Sequence, residues 1–443
     1  MRSTARYALA VSVLSLAGGG CFGQSALPAV FIANNGNLEG SITSMIVNPD
    51  GTLTFADRII TGMRTSTAIP EFGCNARSIA ISPNGKYLAV GHASGSSSVN
   101  ERITILEVAS DASLSLVNVF TVPVTPFDLV WMSDDVLAVA RASTSSTNEI
   151  RTYTWSAGTG VLSFAASLVS GGFSTSIDRH PTQPIAYIGD TGSGGLVSSF
   201  LVGPAGALTP IDAQAYGQFT LDIGVVDSGG SVRIYSGGGI SSGGTAIVGT
   251  DTDNAGNLSI TGGSPFVSPG SSPKLARGSA DGKTLLVGHG TDATVRTFAI
   301  DADTGALTYT GNTFDVGLQG SLDDVQVMGD LVFITDNTTA IDGVRGIYSF
   351  TLAADGSLAQ NGAILDTQGI APGKIATWTP PVPPCPGDTN GDLMVDVDDL
   401  NAILSNWLVN VGVGSPLDLA NNDGIVDVDD LNVVLGNWQA ACT

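Results

Sequence analysis

Basic residues are scarce in this 443-residue chain: 17 Lys and Arg stand against 40 Asp and Glu, a net charge of −23. Phosphates repel a chain of that sign, so nucleic acid is excluded as a partner. Histidine numbers only three and cysteine four, few enough for each to be followed singly. Beyond the N-terminal segment no apolar run is long enough to cross a bilayer as a helix. Charged residues make up 13% of the chain, while Gly numbers 57 and the mean hydropathy is +0.26. That balance suits many turns between sheets buried on both faces.

The first residues read as an export signal over 1–23. Arg2 and Arg6 precede an apolar run from Tyr7 to Ala17, followed by small residues, too short for a transmembrane span. Cleavage after Ala17 or Gly23 would fit. The stretch Leu16 to Cys21 is loosely that of a lipoprotein box, with Gly18 where Leu is expected, which leaves a lipid anchor at Cys21 open. An unmodified Cys21 is a partner for Cys74; otherwise Cys74 is an odd thiol. A secreted or envelope location in a bacterium follows.

The long middle of the chain is periodic. A loop of the form Gly-x-Leu, Ala-x-Leu in its second occurrence and often with Asp or Asn upstream, recurs with its leucines at 53, 114, 162, 208, 258, 307 and 358. The intervals are 61, 48, 46, 50, 49 and 51 residues, a repeat architecture. One unit reads RSIAISP, NGKYLAVGH, RITILEV, SLSLVNVF: four short strands between turns, without a competing helical period. Seven such units predict an all-β, seven-bladed propeller over 27–378; an open β-sandwich array is the alternative. The first unit begins at its second strand, AVFIANN, and the missing innermost strand appears at 372–377, so the C-terminal strand should complete the N-terminal blade. The longer first interval reflects Gly62 to Ala76, a surface loop.

The phrases SPNGKYLAV and GSADGKTLLV, with the DADTGALT loop, resemble the lactonase-type propellers, the group of bacterial 6-phosphogluconolactonase and surface YVTN-repeat proteins. That resemblance implies an inner strand opening Pro-Arg-His, then His-Pro, then a strand ending Asn-Glu, by which Arg, His and Glu bind an anion and move a proton. The best match is Ser174-Thr175-Ser176 through His180-Pro181 to Asp190. Thr175 and Ser176 replace the Arg and first His, so the acid-base set is incomplete.

Equivalent strand ends across the blades carry Asn34, His92, Arg141, Asp190, His289 and Asp336, with Gly237 in the fifth. Arg77 and Lys274 open two inner strands. Together with His180 these residues are candidates for the rim of a central pocket; polar strand ends emerging into water are the plain alternative.

The last sixty residues hold a doubled phrase, VDVDDLNAILSNW and VDVDDLNVVLGNW. In the first copy Asp388, Asn390, Asp392, Asp396 and Asp399 fall on side-chain positions 1, 3, 5, 9 and 12 of a calcium loop, with the Met394 carbonyl at position 7. In the second, Asn421, Asp423, Asp427 and Asp430 are in place with Ile425 as carbonyl donor, while Leu419 occupies position 1 and Asp418 lies one residue early. The second site is therefore weaker, or closed by a thirteen-residue loop. Val395 should pair with Val426, and Leu400, Ile403, Leu404 and Trp407 form a helical apolar face, as do Leu431, Val434, Leu435 and Trp438. Metal-free acidic helix N-caps are the alternative.

The tail, 385–443, resembles a type I dockerin module, a small α-helical calcium-binding domain of two EF-type units. That resemblance implies bound Ca2+ and a protein partner, cohesin-like or other. Two departures stand out: Leu393 replaces the Gly of position 6, and Val397-Asp398 and Val428-Asp429 replace the Ser-Thr pair shown to a cohesin. From Cys385 to Cys442 there are ten Asp and no Lys, Arg, Glu or His, a charge that calls for counter-ions. Cys385 and Cys442 flank the module and suit a disulfide; two unrelated thiols are the alternative. The Pro-rich 379–384 is a short, stiff linker. The expected function is a secreted, non-enzymatic interaction propeller tethered by this module; the alternative is a lactone- or carbohydrate-acting hydrolase, the latter in polysaccharide catabolism, using the central pocket.

Overall fold

The computed structural model describes residues 27–63, 73–92, 101–123, 125–141, 149–170, 173–191, 195–216, 222–238, 244–317, 321–338, 346–381, 385–412, 415–420 and 423–440. The export signal with Cys21, most of the loop after Gly62, part of the Pro-rich linker, Asn421 and Cys442 lie outside them. Contacts divide the chain into Leu27–Pro381 and a second unit holding Val382–Thr443. No helix among the described residues is long and apolar enough to cross a membrane.

Leu27–Pro381 is an all-β propeller of seven sheets, each of four antiparallel strands, with a two-residue strand, Phe266–Val267, added to the fifth. From blade one to blade seven the innermost strands are Pro372–Trp378, Ala76–Ile81, Pro126–Ser133, Ser174–Arg179, Ile223–Asp227, Pro273–Gly278 and Leu322–Met328. Each packs beside the next around an axis. The ring closes as the repeat predicts: Pro372–Trp378 pairs with Ala29–Asn35, Ala29 opposite Trp378 and Ile32 opposite Ile375.

The apolar run AVFIA in blade one shows why these sequences make blades. Ala29, Phe31 and Ala33 join the core shared with blade two, whereas Val30 and Ile32 join the core shared with blade seven. Side chains alternate faces along a strand, so a strand buried on both sides is apolar at every position. Seven such cores, one at each blade-blade interface, hold the ring.

The Gly-x-Leu turn latches one blade to the next. Gly51, Gly160, Gly206, Gly256, Gly305 and Gly356 all have positive φ, from +62° to +85°, where a Cβ costs about 1–2 kcal/mol. Each carbonyl accepts a bond from the preceding blade. Ser199 Oγ reaches Gly256 at 2.6 Å, Thr297 Oγ1 reaches Gly356 at 2.7 Å, and Ser349 Oγ reaches Gly51 at 2.6 Å across the closure. The Thr152 hydroxyl, the Tyr235 hydroxyl and the Asn118 amide serve Gly206, Gly305 and Gly160 in the same way.

Blade two departs from the expected glycine. Ala112 occupies the turn position with φ +63°. Ser44, which matches Ser349 and Ser199 in strand register, has a buried hydroxyl without a hydrogen-bond partner among the described residues.

In the second unit, helices α1 (Val397–Ser405) and α2 (Val428–Gly436) each start from a capping box, Asp396 with Asp399 and Asp427 with Asp430. Val395, Ile403, Val426 and Val434 form its fully buried core. Val395 and Val426 thus meet in one core, as expected, while their backbone bonds go to the segments that follow the helices. Val395 bonds with Gln439 and Ala440 beyond α2, and Val426 with Leu408 and Val409 beyond α1. The apolar faces are narrower than their periodicity suggests: Leu404, Trp407, Leu435 and Trp438 are 39–50% exposed, because each helix spans nine residues and both Trp lie past its end. Cys385 is disulfide-bonded.

An added Cβ at Gly206 would lie 2.8 Å from Ala165 Cβ, whereas at Gly160 the nearest atom is 3.5 Å away. Gly206→Ala should therefore cost about 2–4 kcal/mol of unfolding free energy, with steric clash added to strain, and Gly160→Ala about 1 kcal/mol. Ala112→Gly should add about 1 kcal/mol by releasing strain. Urea unfolding followed by tryptophan fluorescence checks this; equal losses for the two glycine variants would contradict the latch geometry.

Candidate functional site

Ring closure gathers charges that lie far apart in sequence. Asp128, Asp178, Arg277, Asp324 and Lys374, all on innermost strands, line an axial cavity of about 400 Å³. Asp222 is 2.9 Å from Lys374 Nζ and 3.1 Å from Arg277 Nη2, and Asp324 Oδ1 is 3.6 and 3.7 Å from the same two groups. Burial pushes Asp222 upward, but Arg277 and Lys374 outweigh it and hold the carboxyl below its usual range. Against their own burial, Arg277 and Lys374 are raised, Asp222 being the main cause for both.

Asp128 and Asp178 have no ion pair among the described residues and bond to backbone instead. Asp128 accepts from Leu129 N at 3.0 Å and from Ile177 N of the next blade at 3.1 Å. Asp178 accepts from Arg179 N at 2.8 Å and from Val225 N of the next blade at 3.0 Å. Burial pushes Asp128 up to about 6 and raises Asp178 as well.

Arg77 and Lys274, also on innermost strands, each reach the next blade. The Arg77 guanidinium lies 3.6 Å over the Phe127 ring, and Lys274 Nζ donates to the Leu322 carbonyl. Burial lowers both cations, and both are drawn to Asp323, whose carboxyl burial raises.

The strand-end residues do something else. Each lies opposite the start of its blade's innermost strand, and most pin that end to the segment arriving from the previous blade. His92 Nδ1 is 3.2 Å from the Cys74 carbonyl and Nε2 is 2.9 Å from Thr104 Oγ1. Asn34 accepts from Thr367, Asp190 from Ser170 and Ser174, and Asp336 from the Ser321 N–H and Thr338. His289 Nε2 meets Ser268 Oγ at 2.7 Å, with Nδ1 near the Thr294 carbonyl. Arg141 pairs with Glu149 at 3.1 Å. Gly237 admits the chain of blade six, where a Cβ would lie 2.2 Å from the Pro273 carbonyl oxygen.

His180 sits at the opposite end of its hairpin from Asp190, because Ser174 pairs with Asp190 and Arg179 with Ala186. Five residues of strand separate them, about 16 Å. Its Nδ1 accepts from the N–H groups of Thr182 and Gln183, capping a turn, which places the ring proton on Nε2.

In the tail, Asp388 accepts from Gly391 N and Leu393 N, Asp392 from Met394 N and Asp396 from Asp398 N. Asn390 accepts from Asp392 N. Asp399 closes the loop through Thr389 N, Asn390 N and Asp396 N. Leu393 takes a φ of +70°, the left-handed turn that Gly424 makes at +79° in the second loop.

The second loop repeats part of this pattern. Asp430 takes Leu419 N, Ala420 N and Asp427 N, Asp423 takes Ile425 N, and Asp427 takes Asp429 N. Asp418 Oδ2 takes Gly424 N at 3.1 Å, the role of Asp388 toward Leu393, and Asp418 Oδ1 is buried without a hydrogen-bond partner among the described residues. Asp418, rather than Leu419, thus makes the bond that corresponds to that of Asp388, and Leu419 packs against the tail core. Among the described residues no three His, Cys, Asp or Glu side chains already converge as a metal site.

No family model matches the chain, and no curated protein is significantly similar to it in sequence. Solved structures are similar in fold. The periplasmic gluconolactonase PpgL of Pseudomonas aeruginosa superposes with a TM-score of 0.61 at 15% identity, over 80% of this chain and 99% of that one. A 6-phosphogluconolactonase-like protein from Bacteroides uniformis gives 0.61 at 12% identity, again over 80% and 99%. A protein of unknown function from Desulfotomaculum acetoxidans gives 0.60 at 16%, with the same coverage. At these identities the likeness shows the propeller fold.

Burial pushes His92 and His289 down to about 4. Between that value and 6.5 an unfolded histidine binds a proton that the folded one refuses, so stability falls as pH drops through this window. Asp128 acts oppositely: its raised folded value gives stability that is lost as pH rises from 3.8 through about 6. In His289→Gln the stability gap to wild type should narrow by on the order of 3 kcal/mol between pH 7 and pH 4. Urea unfolding at the two pH values measures it, and a constant gap would mean His289 is not held neutral.

Proposed function

We propose that this is a secreted bacterial binding protein whose propeller holds a ligand in its axial channel and whose tail docks it, with bound calcium, to a protein partner at the cell surface or in an extracellular assembly. The observation that carries this reading is the division of labour among ionisable groups. The three histidines, the natural proton carriers, are engaged in pins and turns. The groups that converge are fixed carboxylates and cations around a cavity, an arrangement that holds and orients a polar molecule.

For the tail, the donor set fits a hard cation. Asp388, Asn390, Asp392, Asp396 and Asp399 with the Met394 carbonyl would hold one Ca2+. Asp418, Asp423, Asp427 and Asp430 with the Ile425 carbonyl would hold a second, the buried Asp418 Oδ1 being an oxygen that lacks a donor. Calcium would neutralise the crowded carboxylates and stiffen both loops. Val397, Leu404 and Trp407 are matched by Val428, Leu435 and Trp438, all 39–54% exposed, a duplicated apolar surface suited to a protein partner. Secretion rests on the N-terminal signal pattern, with a lipid at Cys21 as a further means of attachment.

A hydrolase is the second reading, favoured by the likeness to PpgL and by a channel carboxyl, Asp128, held near 6, where it can exchange a proton near neutral pH. Turnover of sugar lactones by the full chain, lost in Asp128→Asn and kept in His180→Ala, would replace the binding reading with this one. Calcium titration of the full chain by calorimetry should find two sites. Asp418→Asn should remove the second and Leu419→Ala should leave it, whereas the reverse would restore a twelve-residue loop with position 1 at Leu419. A calcium-dependent pull-down from envelope and medium should then recover the partner.

A further inference from the structure

We propose that the axial cavity selects a small organic cation, a primary or secondary ammonium, seated against Asp128 and Asp178. The inference rests on the reading of the channel as a ligand site and names the chemistry of the ligand. The ion pairs of the channel are spent on one side: Arg277 and Lys374 face Asp222 and Asp324 at 2.9–3.7 Å. Asp128 and Asp178, on the adjacent blades three and four, have no ion pair among the described residues; Arg277 and Lys374 act on Asp128, and Arg277 on Asp178, only from beyond ion-pair distance. Arg179, which also borders the cavity, gives its guanidinium to the Trp131 carbonyl.

Each oxygen of Asp128 and Asp178 accepts one backbone N–H, and an ionised carboxylate has about four acceptor sites. Each carboxylate thus keeps acceptor capacity for the N–H groups of an ammonium. Lys374 and Arg277 lower Asp128 and Asp222 raises it, yet the sum with burial still leaves it near 6. A carboxylate whose acidity burial weakens even with two cations nearby is one whose ionised form an additional positive charge would stabilise. The cavity, at about 400 Å³, lies in the range of small-molecule sites, and the net charge of −23 draws cations toward the chain.

The test is calorimetric and thermal-shift titration of the full chain, with calcium present, against 1,4-diaminobutane, gluconate and glucose. The diamine should bind, with protons released near pH 6 as Asp128 ionises, seen as a binding heat that varies with the buffer's ionisation heat. Asp178→Asn, which keeps one acceptor for the backbone, should weaken binding at least tenfold. If that variant melts early, Asp128→Asn and the wild-type proton release carry the test. Binding of gluconate or glucose without the diamine would overturn the cation while keeping the channel as a ligand site. No binding of the diamine by either method, or binding unchanged in both Asn variants, would overturn the inference outright. Lactone turnover lost in Asp128→Asn would instead remove the binding reading on which it rests.

Discussion

Every blade of this propeller is apolar on both faces, so no blade can stop at water. A sheet with two buried faces needs a neighbour on each side, and seven of them in a row satisfy that need only by meeting end to end. The pairing of Ala29–Asn35 with Pro372–Trp378 is therefore the contact on which the rest depends. Without it the core made by Val30, Ile32, Phe333 and Ile375 would open to solvent, and so would the one that contains Trp378.

Closure also decides where polarity can go. Hydroxyls buried between blades find the one carbonyl that a positive-φ turn turns toward them, which is why glycine recurs in phase with leucine. The first strand of each blade crowds the axis, and charge placed there loses water on all sides. Removing one partner from a buried ion pair costs about 3–5 kcal/mol, so Asp222, Arg277, Asp324 and Lys374 stand or fall together. The carboxylates that stitch one inner strand to the next, Asp128 and Asp178, belong to the same construction and so serve both the ring and its cavity.

Much of the propeller was legible in the chain because its signals are local and repeated: alternation within strands, the turn spacing, and a stray strand at 372–377. The ends of the second strands were equally visible as Asn34, His92, Asp190, His289 and Asp336, yet sequence gives no way to see the connectors, Thr367, Cys74, Ser170, Ser268 and Ser321, that meet them. The channel was the least legible part. Asp128, Asp178, Asp222, Asp324 and Lys374 are single charges on separate repeats, and only ring geometry makes them neighbours; Arg77 and Lys274 were found because they open their strands. In the tail, Asp418 looks displaced when counted back from Asp430, yet its bond to Gly424 N matches the one Asp388 makes to Leu393 N.

The order of segments along the chain adds a consequence for synthesis. The strand that shuts the ring is the last element of the propeller, and the acidic loop-helix unit follows it. A polypeptide interrupted anywhere before residue 372 lacks both the closing strand and the tail. A chain synthesised as far as the tail already contains the strand that shuts the ring.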